Sequence, residues 1–241
     1  MSRRIVATMV AASLIALAAI VITQALISVE RFHTPIGATR GFRLADGTTM
    51  VLNTGSTAEV SMRSGARHVK LLAGEAMFDV AHDPARPFVV DASSASLRAV
   101  GTAFNVRIRQ DVVELTMVRG AVAVRDGPQR AARLVGAGTL AAIRRGVIAE
   151  SGLDPIGLAQ RTAWRARWIE LDGTTLSQAI DEFNRYRLVP LVIGDPRIAA
   201  LRVAGRFHTN DWRGFVAALA RDHGIRAIEG SDRAIVLVTA G

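Results

Sequence analysis

The feature that most constrains this chain is an uncharged, apolar run from Ile5 to Ile27, preceded by Arg3 and Arg4. A helix of that length spans about 34 Å at ~1.5 Å per residue, enough to cross a ~30 Å hydrocarbon core. Because the arginines flank the short side, the positive-inside rule keeps the N-terminus in the cytoplasm. The sequence therefore predicts a cytoplasmic stub and a single-pass anchor within residues 1–28, with everything after Ser28 exported.

A cleaved signal peptide is the alternative interpretation of the same run. Such peptides have apolar regions of roughly 7–15 residues, followed by an Ala-x-Ala-like site. This run is longer, and both Thr23-Gln24-Ala25 and Ala25-Leu26-Ile27 fit such a site poorly. We therefore expect an uncleaved anchor in the inner membrane, with the bulk of the chain in the periplasm.

Composition excludes several classes of chemistry. The chain has 241 residues and no cysteine, so disulfides, thiolate catalysis and zinc-thiolate sites are ruled out. The net charge is +9, but the basic residues are dispersed along the chain among acidic ones, and no basic run is interleaved with aromatic residues. We therefore expect no nucleic-acid partner.

Residues 29–150 have the pattern of an all-β domain, either solenoid-like or sandwich-like. Asp46-Gly47 lies between two alternating segments, and such a dipeptide is a strong hairpin signal because both residues tolerate positive φ. Further turn signals recur every 6–12 residues or so, with no long helical period between them. The predicted strands include Ala58–Met62, His68–Leu72, Ala76–Val80, Phe88–Val90, Leu97–Val100, Ala103–Arg109, Val112–Val118, Ala121–Arg125 and Leu140–Ile148.

The pattern changes after Gly152. Residues 151–167 read as a partly helical connector, and residues 168–241 as a small α+β module. In the module, apolar residues recur at helical spacing after Thr174-Thr175 and again after Asp211, with strands around them. The predicted order is β-α-β followed by β-α-β-β, which we interpret as two similar units in tandem.

Several short motifs follow one another along the all-β part of the chain. They are Leu44-x-Asp46-Gly47 with Leu52-Asn53, Gly74-Glu75-Ala76-x-Phe78-x-Val80, Arg86-Pro87-Phe88-x-Val90, Gly101-Thr102-x-Phe104-Asn105-Val106, Val118-x-Gly120 and Gly136-x-Gly138. With these motifs in this order, the residues from Gly37 to Val124 resemble the FecR family of transmembrane signal relays. Residues 168–238 are similar to the small module at the periplasmic end of TonB-dependent receptors and secretins.

The resemblance implies a function. FecR proteins sit in the inner membrane, receive a signal from the periplasmic signalling module of a TonB-dependent receptor, and regulate an extracytoplasmic-function sigma factor in siderophore and iron uptake. The alternative is a periplasmic envelope scaffold or binding protein that uses the same β domain without a sigma factor.

The cytoplasmic part departs from the family pattern. Met1–Arg4 is too short to form a sigma-binding domain. Three explanations stay open: the true start lies upstream, the sigma-binding domain is a separate chain, or the protein has another output. The resemblance therefore implies a sigma-factor contact only through a cytoplasmic domain that is absent here.

The Gly101-Thr102 bond resembles a site at which several FecR proteins cleave themselves. A threonine hydroxyl attacks the preceding carbonyl in an N-to-O acyl shift, and water then opens the resulting ester. A simple bend between strands is the other interpretation of this glycine. Either way the chain is expected not to be an enzyme, since such cleavage is a single turnover.

No catalytic, metal or cofactor site is expected elsewhere. His33, His68, His82, His208 and His223 show no paired ligand spacing. For receptor binding by strand addition, the candidate residues are Leu191, Val192, Ile193, Arg202, Val203 and Arg206.

Overall fold

The computed structural model describes residues 29–63, 65–127, 129–230 and 234–239. Within these ranges, none of the helices combines the length and the hydropathy that a bilayer crossing requires. The predicted anchor at residues 1–28 lies outside them.

The first part of the chain forms two seven-stranded sheets. The first sheet contains, in spatial order, β1 (Glu30–His33), β4 (Thr57–Arg63), β5 (Ala66–Ala73), β7 (Phe88–Ala92), β8 (Ala95–Ala99), β11 (Ala121–Asp126) and β12 (Arg133–Gly136). The second contains β14 (Val147–Gly152), β13 (Thr139–Arg144), β10 (Val112–Arg119), β9 (Ala103–Arg109), β6 (Glu75–Asp79), β3 (Thr49–Leu52) and β2 (Arg40–Arg43).

The two sheets enclose one hydrophobic core, so this part is a β-sandwich. Alternate side chains of both sheets meet there, including Phe78 and Phe104 from the second sheet and Phe88 from the first. The chain passes from one sheet to the other as it proceeds, and each new strand is added next to the last in its sheet. The sandwich therefore advances from one end to the other, which explains why its sequence pattern also suggests a solenoid. Among the described strands of the sandwich, β5 and β7 are the one pair that runs parallel.

The predicted hairpins are present, with one difference at the end of the sandwich. β2 and β3 pair around the Asp46-Gly47 turn, where Gly47 has a φ of +86°. The single predicted strand at 140–148 is instead the hairpin β13–β14, which turns at Arg145 and Gly146 with both residues at positive φ. Strands β1 and β12 were not predicted.

The connector is helical, as expected. Helix α1 (Pro155–Thr162) is capped by the Asp154 side chain, and a 3₁₀ helix (Ala163–Ala166) ends at Arg167 in the left-handed conformation. Trp164, in this segment, packs with Met77 and Ala103 on the outer face of the second sheet. The connector thus covers a surface that would otherwise face solvent.

The C-terminal module has the predicted order of elements but not two tandem units. Strand β15 (Trp168–Thr175) pairs with β17 (Arg202–His208), while β16 (Leu191–Ile193) and β18 (Ile225–Glu229) flank β19 (Ile235–Thr239). Helices α2 (Leu176–Asn184) and α3 (Trp212–His223) pack into the same core as both sheets. Because strands from each half pair with strands from the other, the tandem interpretation was wrong, and the module is one interleaved unit.

Candidate functional site

The FecR-like sandwich and the C-terminal module meet at a buried polar cluster. Neighbouring strands β9, β6 and β3 of the second sheet present polar side chains on its outer face, while their alternate residues Phe104 and Val106 fill the sandwich core. On the side of the module, the contacting residues lie at the end of α2 and directly after it. We call this cluster the interface network; it consists of Asn53, Glu75, Asn105, Arg107, Glu182, Arg185 and Tyr186.

Glu75 is the centre of the network. Its side chain is 3% exposed and accepts hydrogen bonds from the side-chain amides of Asn53 and Asn105, each at 2.8 Å. It also accepts one from Arg185 Nη2 at 2.5 Å. A buried carboxylate is tolerated when it is both paired and hydrogen-bonded, and Glu75 meets both conditions.

Arg185 and Tyr186 bring the module to this carboxylate. Arg185 Nη1 donates to Glu182 at 2.6 Å, and its backbone carbonyl accepts from Thr54 Oγ1 at 3.0 Å. The Tyr186 hydroxyl accepts from Asn53 Nδ2 at 2.9 Å. The two residues follow α2 directly, so the position of that helix sets their approach to the sandwich.

Charges of opposite sign alternate through the network. Arg107 Nη1 donates to Glu182 at 3.0 Å, which gives the order Arg107, Glu182, Arg185, Glu75. Arg109 and Asp181 form a further, exposed pair at 3.0 Å between the same two parts. The sandwich and the module therefore contact each other through complementary charge as well as through hydrogen bonds.

Burial and neighbouring charges shift three pKa values in the network. Burial opposes the charge on Glu182, but Arg185 and Arg107 outweigh it and hold the pKa of this carboxyl below its usual range. Burial likewise opposes the charge on Arg185, yet Glu75 and Glu182 raise its pKa. Burial raises the pKa of Tyr186. At neutral pH Glu182 and Arg185 are therefore charged, and the phenol of Tyr186 is neutral.

The Gly101-Thr102 bond lies between β8 and β9, inside the sandwich. Gly101 has a φ of +67°, and a Cβ there would collide with the His82 ring. Thr102 is 3% exposed, and its Oγ1 has no hydrogen-bond partner among the described residues. An unpartnered buried hydroxyl is uncommon in folded proteins.

The residues predicted to contact a receptor fall on two separate sheets. β16 is an edge of the three-stranded sheet, and β17 pairs only with β15 among the described strands. The side chains of Leu191 and Val203 pack in the module core, and Ile193 packs against it. Val192, Arg202 and Arg206 are exposed, with Arg206 paired to Glu170 and lying over the Trp168 ring. The structure thus does not bring the six residues together on one edge.

Three residues of the interface network, Asn53, Glu75 and Asn105, belong to the sequence motifs that resemble the FecR family, but the motifs alone indicate no role for them. Asn53, Glu75 and Asn105 stand next to buried apolar residues in strands, and a charged or amide side chain there is a signal of a polar partner. Nothing in the sequence singles out Arg185 as that partner, since the two are 110 positions apart.

Within the described ranges, no group of three or more histidine, aspartate and glutamate residues is arranged to hold a metal ion. The three tryptophans lie at packing positions: Trp164 in the cluster with Met77, Trp168 beside Arg206, and Trp212 in contact with Arg187 and Arg213.

Comparisons with known proteins extend this description. Residues 30–123 match the family model described as FecR protein. Two crystal structures of a candidate anti-sigma factor from Parabacteroides distasonis ATCC 8503, at 2.50 and 1.65 Å resolution, share 24% identity and a TM-score of 0.71 with this chain. They cover 89% and 88% of it and 100% of their own chains. At 24% sequence identity, this similarity shows a shared fold and nothing further. No curated protein sequence matches.

Proposed function

We propose that this chain, whose residues 30–123 match the FecR family model, regulates a sigma factor by relaying a signal across the inner membrane. The match to the FecR model supports the regulatory role. The similar fold of a protein described as a candidate anti-sigma factor is consistent with it. The apolar run at residues 5–27 supports the membrane location, with the C-terminal bulk in the periplasm.

The interface network is the observation that carries the proposal. The exposed surface of the module offers a place for a partner, whereas the sandwich carries the family motifs. Glu75, Asn53 and Asn105 from those motifs hold Arg185 and Tyr186 of the module. A partner that moves α2 would therefore act directly on the sandwich, which gives the relay a physical path.

The proposed partner in the periplasm is the signalling module of a TonB-dependent receptor for siderophores. Edge strands such as β16 can accept an added strand, with backbone hydrogen bonds supplying affinity. The exposed Val192, Arg202 and Arg206 are the side chains available for specificity. The sigma factor itself would contact a cytoplasmic domain, because the residues described here lie on the periplasmic side of the proposed anchor.

Deletion of the gene in its own host tests the proposal. We expect altered transcript levels for the regulon of one extracytoplasmic-function sigma factor, including a gene for a TonB-dependent receptor, and restoration by the wild-type gene. Unchanged transcripts would contradict regulation and favour the envelope scaffold. Protease treatment tests the topology separately: the chain should be degraded only after the outer membrane is opened.

Self-cleavage at Gly101-Thr102 is a second proposed property, supported by the unpartnered Thr102 hydroxyl. Thr102 Oγ1 attacks the Gly101 carbonyl carbon, the carbon–nitrogen bond breaks, and the hydroxyl proton ends on the freed Thr102 amine. Water then hydrolyses the ester, which leaves a carboxylate on Gly101 and restores the hydroxyl. The two fragments stay together, because the strands on both sides of the bond belong to one core.

A further inference from the structure

A concave surface lies next to the interface network, where the sandwich and the C-terminal module meet. Its lining includes Ile36 between β1 and β2, residues 186–189 after α2, and Trp212 with Arg213 at the start of α3. The volume is about 660 Å³, within the range of ~300–1,000 Å³ that is typical of binding pockets. We call this surface the Trp212 groove.

Aliphatic side chains are exposed along the Trp212 groove. Leu188 is 83% exposed, Ile36 49% and Val189 41%, and all three lie outside the two large hydrophobic cores. Scattered apolar residues are normal on a protein surface, whereas apolar residues grouped in one place mark interaction sites. The groove therefore offers apolar contact area to a partner.

Two arginines give the same groove a positive charge. The guanidinium carbons of Arg187 and Arg213 lie 4.0 and 4.5 Å from the centre of the Trp212 ring. Arg213 is exposed and Arg187 is partly exposed, and neither forms an ion pair within the described part of the chain. Burial lowers the pKa of Arg187, and the charge of Arg213 lowers it further. Two neighbouring cations without a counter-charge favour an anionic partner.

Glu229 is the one acidic residue among the described residues that line the groove, and it pairs with neither arginine. The groove therefore keeps a net positive charge, but that charge is confined to the side of Arg187 and Arg213. A single carboxylate can approach the two arginines without approaching Glu229. A broad anionic surface such as a lipid bilayer cannot enter a concavity in this way.

We propose that the Trp212 groove binds an acidic and aliphatic segment of a protein partner. An Asp or Glu carboxylate of the segment accepts charged hydrogen bonds from Arg213 and from the accessible part of Arg187. A neighbouring Leu, Ile or Val of the segment packs on Leu188 and Val189. Tryptophan and arginine are also the residues that most often dominate the binding energy of protein interfaces.

A segment bound in the groove contacts both parts of the exported chain. Ile36 belongs to the sandwich, whereas Leu188 belongs to the module and follows Tyr186 of the interface network by two positions. The proposal rests on the proposed function only in placing the partner in the periplasm.

Selection from a peptide library tests the proposal. The full chain in lipid nanodiscs is immobilised and exposed to phage that display random short peptides, after empty nanodiscs have removed the phage that bind lipid. We expect enriched sequences that place Asp or Glu beside Leu, Ile or Val. No enrichment, or enrichment of basic or purely apolar sequences, would overturn the proposal.

Point variants locate the binding surface of the most enriched peptide. Arg213→Glu and Leu188→Asp should each weaken its binding at least about tenfold in a fluorescence anisotropy titration. Arg165→Glu and Leu134→Asp are the matched controls, at exposed positions outside the groove, and should bind as the wild type does. Wild-type affinity in both groove variants would overturn the proposal, because the peptide would then bind elsewhere.

Two further measurements identify other occupants, and either positive result would overturn the proposal. A dimer of the chain that Leu188→Asp separates would assign the groove to a second copy. Quenching by brominated lipids of the fluorescence that is lost in Trp212→Phe would assign it to the membrane. Because none of these measurements involves transcription, their failure is distinguishable from failure of the proposed sigma-factor regulation.

Discussion

Arg185 Nη2 lies 2.5 Å from Glu75 Oε2, and this contact joins two residues 110 positions apart. Arg185 belongs to the C-terminal module, and Glu75 belongs to the second sheet of the sandwich. Both side chains are largely buried, at 16% and 3% exposure. Their pairing links the sandwich and the C-terminal module directly.

Removal of the Arg185 charge should destabilise the protein strongly. Arg185→Met leaves Glu75 buried without its cation, and breaking a buried pair in this way costs about 3 kcal/mol. The matched control is Arg221→Met, because Arg221 pairs with Asp222 on the exposed surface, where such pairs contribute little. Urea denaturation of the full chain measures both free energies of unfolding.

Equal stabilities of the two variants would contradict a structural role for the Glu75–Arg185 pair. A lower free energy of unfolding in Arg185→Met, without a similar decrease in Arg221→Met, would support that structural role.

The single tyrosine of the chain offers a direct measurement of burial at the interface. Burial raises the pKa of Tyr186, so its phenol should ionise at higher pH in the folded protein than in urea, where the pKa is about 10. The absorbance of the tyrosinate band, recorded as the pH is raised, measures this ionisation in both states. Coincident folded and unfolded curves would show that Tyr186 is solvated.

The same shift predicts how stability depends on alkaline pH. Because the folded-state pKa is the higher one, the contribution of Tyr186 is fully present below about pH 10 and is lost as pH rises towards the folded-state pKa. The free energy of unfolding of Tyr186→Phe should therefore fall less between about pH 10 and the folded-state pKa than that of the wild type.

Gly74 should tolerate alanine much less well than Gly127. Both glycines have positive φ, at +84° and +88°, so the backbone penalty is similar. A Cβ at Gly74 would lie 2.6 Å from Ser56 Cα, whereas at Gly127 it would meet nothing within 4 Å. We expect Gly74→Ala to cost at least about 2 kcal/mol more than Gly127→Ala. Similar denaturation midpoints for the two variants would contradict this packing.

The position of Ser56 extends this prediction to the interface. Its hydroxyl accepts from the Glu75 amide at 2.9 Å and donates to the Glu75 carbonyl at 3.1 Å. A shift of Ser56 in Gly74→Ala should therefore also disturb the interface network, which a raised Tyr186 exposure would reveal.

Self-cleavage should depend on the hydroxyl of Thr102 and not on its volume. Thr102→Val keeps the shape and removes the nucleophile, so it should give one intact chain on a denaturing gel. Thr102→Ser keeps a hydroxyl and should give two fragments, the same result that we predict for the wild type. An intact wild-type mass after purification from the host would contradict cleavage.

Local signals predicted most of the fold. The Asp46-Gly47 hairpin, the start of α2 after Thr174-Thr175 and the start of α3 after Asp211 each depend on residues close in sequence, and all are confirmed. The β13–β14 turn was missed because Arg145 adopts a φ of +48°, which a basic residue rarely does.

Local sequence patterns do not predict which strands pair when they are far apart in the chain. The module was interpreted as two tandem units because each half has its own β-α-β pattern, but β15 pairs with β17 and β16 with β19. Likewise, the sequence shows that Glu75 needs a polar partner without showing that the partner is Arg185. Such contacts are decided by packing of the whole chain, not by periodicity.

Signal transfer through the interface network is the central claim, and transcription in the host tests it most directly. Strains that carry wild type, Arg107→Met, Arg185→Met or Arg221→Met in place of the gene are compared at matched protein abundance, with and without the siderophore that the proposed function expects as inducer. The account predicts that both network variants lose the transcriptional response while Arg221→Met keeps it. A normal response in Arg107→Met and Arg185→Met would contradict the account.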